Sequence, residues 1–140
     1  MVSSVKVVVV LAVAIALGVA TASASNAPRR APGFVGCRAY TAAHPRPVVR
    51  PRSIVAACAD GNLYFTGLRW TSWTATGAAA HGIAHQNACT PNCAAGRFHT
   101  YPVHVTLSAA RACAGKHELT KLTYRFAAKY GTGSQTFRCR

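Results

Sequence analysis

The 140-residue chain carries 16 lysines and arginines against two acids, Asp60 and Glu118, a net charge of +14. Two carboxylates exclude a calcium site rich in acids, and a two-carboxylate glycosidase would need both of them. The length allows one domain, and the positive excess favours polyanions as partners.

Residues 1–24 read as a secretory leader. Lys6 supplies a positive start, residues 7–20 are an unbroken apolar run, and Ala22-Ser23-Ala24 offers small residues before a cut after Ala24. The run falls short of the roughly 20 residues a membrane span needs. Loss of Lys6 with the leader lowers the net charge only from +14 to +13. Export in turn implies an oxidising compartment. All six cysteines, Cys37, Cys58, Cys89, Cys93, Cys113 and Cys139, follow the cut, and an even count reads as three disulfides. A short chain needs such staples because its core alone is marginal.

Residues 25–51 form an Arg/Pro-rich extended segment. Pro28, Pro32, Pro45, Pro47 and Pro51 alternate with Arg29, Arg30, Arg38, Arg46 and Arg50, and Cys37 ties the segment down. Proline and like charge both stretch a chain. The segment suits either a polyanion-binding arm or a solvated spacer.

Residues 52–140 are expected to form a disulfide-stabilised β domain. A short strand at 53–58 leads into an Asp60-Gly61-Asn62 turn. Residues 63–73 follow as a strand in which Gly67 breaks the alternation between Phe65 and Leu68, which predicts a bulge. Residues 74–86 are rich in Ala and Gly and read as a strand of small side chains. Cys89 and Cys93 lie in the loop after it, where Asn92 suits a left-handed turn. Residues 98–107 alternate cleanly, with Tyr101, Val103, Val105 and Leu107 on one face and His104 and Thr106 on the other. Residues 108–116 read as a loop and 118–127 as a strand. Residues 131–134 read as a hairpin turn, and 136–140 as an edge strand. The sum is an all-β fold, a small antiparallel sandwich or barrel of about six strands.

Chemistry is sparse. Four of the cysteines, Cys58, Cys89, Cys93 and Cys113, could ligate zinc, but export favours disulfides, so no metal or cofactor is expected. On one strand His81 and His85 would lie about 13 Å apart at ~3.3 Å per residue, too far to share an ion. Trp70 and Trp73 suit the core and its rim, with a carbohydrate-stacking platform as the alternative. A ribonuclease would draw on His99, His104, His117, Glu118, Arg97 and Arg125 for acid–base work and oxyanion stabilisation. Their spacing does not require convergence. Arg69, Arg97 and Arg125 each sit beside an aromatic residue and are the candidate polyanion-binding residues.

The stretches Ala-Cys-Ala-Asp-Gly-Asn (57–62), Leu-Arg-Trp-Thr-Ser-Trp (68–73) and Asn-Ala-Cys-Thr-Pro-Asn-Cys-Ala-Ala-Gly (87–96) resemble a group of small exported proteins from actinobacteria. The resemblance implies export and one compact domain, and brings no catalytic residue. Cys37 and Cys139 lie outside it, which pairs them with each other. A plain up-and-down course puts Cys58, Cys89 and Cys93 at one end and the other three at the opposite end. Three at each end cannot pair fully, so either a loop folds back or the topology is not a plain meander; Cys58 is expected to bond within the Cys89/Cys93 loop and Cys113 to reach the remaining loop cysteine.

The chain therefore reads as a secreted or envelope-associated, non-catalytic cationic module for an anionic polymer: envelope polysaccharide, nucleic acid or anionic lipid. A ribonuclease-like hydrolase and a membrane-active protein are the alternatives.

Overall fold

A computed structural model of the chain describes residues 30–127 and 131–139. The expected leader, with Pro28 and Arg29 of the segment after it, lies outside the described residues. The fold is all-β: among the described residues, six antiparallel strands form one sheet that curls into a half-barrel. Its strands are β1 (Ile54–Val55), β2 (Leu63–Trp73), β3 (Ala78–Asn87), β4 (Phe98–Cys113), β5 (Lys116–Phe126) and β6 (Thr132–Thr136). They pair in chain order as a meander.

Alternation makes one face of this sheet apolar. Phe65, Ala80, Ala84, Val103, Val105, Leu107 and Leu122 are all buried on it. The bulge expected at Gly67 is present. The register jumps between Thr66 and Arg69, and Gly67 takes φ 61°, in the left-handed region that favours glycine. A second irregularity between Trp70 and Ser72 brings Trp73 onto the same face as Trp70.

No second sheet covers the inner face among the described residues. The proline-rich segment covers it instead, held by far more than Cys37. Phe34 exchanges two backbone hydrogen bonds with Val48. Gly33 continues the sheet beside β5, taking a bond from Leu119 N–H and giving one to the His117 carbonyl. A single helical turn, α1 (Arg38–Thr41), then redirects the chain. Phe34 and Phe137 meet edge to face at 5.3 Å between ring centroids and plug the core.

Several boundaries differ from expectation: β1 is only Ile54–Val55, and β3 begins at Ala78 because Thr74 N–H bonds to the Gly77 carbonyl and closes a turn over residues 74–77. Residues 108–113 are strand rather than loop, because β4 and β5 stay in register to a tight turn at Ala114-Gly115. The last strand is residues 132–136 rather than 136–140. The supposed turn residues pair with β5, and Phe137 then turns inward to cap the core. In the cysteine loop, Cys89 rather than Asn92 takes the positive φ.

All six cysteines are bonded, but as Cys37–Cys58, Cys89–Cys93 and Cys113–Cys139. Every pairing expected from the sequence is corrected. The up-and-down course holds. The covering segment, however, folds back and delivers Cys37 to the end occupied by Cys58, leaving Cys113 and Cys139 together at the other.

Loop length ranks what these bonds contribute. Cys113–Cys139 spans 26 residues and Cys89–Cys93 only four. By loop-closure entropy the first is worth about 3–4 kcal/mol and the second about 2. Urea denaturation is expected to show the C113S/C139S double variant losing more stability than C89S/C93S.

Candidate functional site

The bulge at Gly67 decides what the other face of the sheet carries. With unbroken alternation Arg69 would share the inner face with Phe65; after the bulge Leu68 points in and Arg69 out. The ladder then sets Arg69 opposite His81 on β3, His81 opposite His104 on β4, and His104 opposite Arg125 on β5. Thr132 on β6 closes the row. Four basic or titratable side chains thus stand on adjacent strands at one level. Arg69 and Arg125 are three strand spacings apart, about 14 Å at ~4.8 Å each.

The two imidazoles at the centre meet at 4.7 Å between ring centroids, with planes 72° apart. Burial, then the nearby His81 and Arg125 charges, hold His104 below the usual histidine range. A groove of about 490 Å³ runs along this level, lined by His81, His104, Pro102, Arg125 and Thr132 among others. Farther along the same face, Tyr64 and His85 stack in parallel at 4.5 Å. His85 Nε2 lies 2.8 Å from Thr66 Oγ1, and Phe98 leans on Tyr64 at 5.5 Å.

Neither carboxylate is on this face. Asp60 accepts hydrogen bonds from the Asn62 backbone N–H (3.1 Å) and side-chain amide (2.6 Å), contacts that lower its pKa. Glu118 is buried at the far end of β5, where Gly33 bridges beside it. Burial raises its carboxyl above the usual value, with Lys116 pulling partly the other way.

Of the three arginines singled out by sequence, Arg69 and Arg125 share the row. Arg97 precedes β4, seven residues from His104 and so about 23 Å along the strand. The ribonuclease set is not assembled. His104 and Arg125 are neighbours, whereas His99 lies about 16 Å down β4 from His104, and Glu118 about 23 Å from Arg125. His117 stands at the Glu118 end. Trp70 and Trp73 belong to the inner side, where their N–H groups donate to the Pro51 and Pro32 carbonyls, each at 2.8 Å. They anchor the covering segment.

His81 was weighed from the sequence only as a metal ligand with His85, not as a member of this row. Its outward position was readable from the Ala80/Ala84 alternation, but its meeting with His104 needs the register. No three of His, Cys, Asp and Glu gather into a metal site among the described residues.

The cysteine loop is organised by buried Asn87. Its side-chain amide donates to Asn62 Oδ1 (2.9 Å) and the Cys93 carbonyl (2.8 Å), while its Oδ1 accepts from the Cys89 N–H (3.0 Å). Gly96 must be glycine here, since a Cβ would collide with Asn87 Oδ1 and the Cys89 backbone. The loop is a closed structural unit.

No family model matches the chain, and no curated protein or solved structure matches it.

Glu118 gives the fold a pH dependence. Folded, its carboxyl takes up a proton more readily than in the unfolded chain. Burial therefore costs nothing once both states are protonated, and stability is lost as pH rises through the raised pKa. The Glu118→Gln variant is expected to unfold at a higher temperature than wild type at neutral pH. The two should converge below the ordinary carboxylate range, as calorimetry across pH will show.

Proposed function

We propose that the chain is an exported, non-catalytic cationic module that holds an anionic polymer outside the cell or at its envelope. The observation that carries this reading is the Arg69–His81–His104–Arg125 row on a face from which both carboxylates are absent. A side chain needed only for solubility has no reason to align across four strands. Arginine adds a planar fork that grips phosphate, sulfate or carboxylate with two hydrogen bonds.

Three disulfides in a short chain and a leader-like start support export. A polymer laid over the row meets cations at strand spacing, and displacing its counterions favours binding, which makes retention depend on salt.

The test is retention of the purified, oxidised chain on immobilised polyphosphate across a salt series. Retention should fall steeply as salt rises. The R69A/R125A variant should flatten the log–log slope for each contact removed, by an amount of the order seen with single-stranded nucleic acid, roughly 0.7 per contact. A slope unchanged in that variant would falsify the assignment of the face.

A further inference from the structure

The outer face carries more than charge. Read along the strands, Tyr64, His85 and Phe98 form an aromatic group at one end, and the His–Arg row crosses the middle. Thr66, Ile83, Thr100 and Pro102 lie between them as an uncharged floor. His85 and His81 are four residues apart on β3, so the two levels are separated by about 13 Å. Phe98 is 46% exposed although it is large and apolar.

We propose that the polymer taken by this face is single-stranded nucleic acid, with a base stacking at Phe98 and Tyr64 and a phosphate seated between His81, His104 and Arg125. The proposal rests on the polyanion reading above and narrows it.

The chemistry separates nucleic acid from other polyanions. Polyphosphate and uronate polymers match the cations but have no flat π-surface to meet exposed rings. Bases supply both, and every base offers a face for stacking, so no particular sequence is required. Paired bases are stacked on one another, and only unpaired ones can reach the rings. An anionic membrane is a poorer match. Ile83 and Phe98 are the large apolar side chains exposed on this face among the described residues, whereas Val49 and Val55 belong to the covering segment and β1.

The phosphate seat has groups from five strands around it. Arg69 on β2, His81 on β3, His104 on β4, Arg125 on β5 and the Thr132 hydroxyl on β6 all stand at its level. None of the described residues facing it is an acid. In the free protein burial, then the nearby His81 and Arg125 charges, hold the His104 imidazole below its ordinary pKa. A bound phosphate offsets that repulsion, so binding draws a proton onto the imidazole and tightens as pH falls towards the ordinary histidine range.

The experiment uses the purified, oxidised chain and three probes at fixed salt: a labelled oligothymidylate, inorganic polyphosphate, and vesicles containing phosphatidylglycerol. Wild type should bind the oligothymidylate, and more tightly on acidification. Phe98→Ala should weaken that binding about fivefold to a hundredfold, the range for losing one stacked base, and leave polyphosphate retention unchanged. Phe98→Tyr should restore it, which separates stacking from a folding defect. Arg125→Ala should weaken both polymers, and His104→Gln should reduce the acid enhancement.

Polyphosphate binding without oligothymidylate binding overturns this proposal and leaves the polyanion reading standing. Equal losses of both polymers in Phe98→Ala, or none, also overturn it, as does binding to vesicles in preference to the oligonucleotide. If wild type ignores polyphosphate as well, both readings fall.

Discussion

A curled sheet with one greasy face must cover it, and this chain has no second sheet among its described residues. The cover is the proline-rich segment, laid across the inner face with Phe34 against Phe137. Burying one such ring contributes on the order of 1.5–3 kcal/mol. Backbone bonds alone would leave the segment free to peel, because proline removes donors. Two indole N–H groups reach across from β2 to its carbonyls, and Cys37–Cys58 ties it to the residues before β2. Tryptophan suits this task because it gives the core a large ring and still has one donor to place.

With the core settled on one side, the other face of β2 to β5 is free of the packing demands of the interior. The bulge at Gly67 connects the two sides. It keeps Leu68 and Trp70 in the core and at the same stroke turns Arg69 outward to join His81, His104 and Arg125. Core packing and surface chemistry therefore depend on the same backbone irregularity. Both acids lie away from this face: Asp60 holds Asn62 in a turn that leads to Asn87, and Glu118 is buried beside Gly33. The cationic face is left without internal neutralisation, and covalent cross-links help the fold withstand the resulting self-repulsion.

The loop around Cys89 and Cys93 is the most distinctive stretch of the chain, yet its bonds are largely local. Its disulfide spans four residues, and Asn87 satisfies the Cys89 N–H and the Cys93 carbonyl from one side chain. This loop finishes the β3–β4 hairpin and connects it to the Asn62 turn. It lies away from the His–Arg row, and its distinctiveness reflects the demands of a tight closed turn.

Much of the fold was legible because burial on a sheet alternates with a period of two, a signal contained in each strand alone. The limits of β2, the bulge at Gly67 and the inward set of β4 all follow from it. The inward turn of Phe137 was not legible, since Gly131 to Ser134 look like a turn whether or not β5 lies beside them. Cysteine pairing failed for a related reason: residues 25–51 read as an extended tail, and only a segment folded back over the core brings Cys37 to Cys58. By itself the sequence determined the β character, the charge and the need for cross-links, which are sums over local choices. Tertiary structure decided the cysteine partners and the meeting of His81 with His104, because both depend on register and on where a distant segment comes to rest.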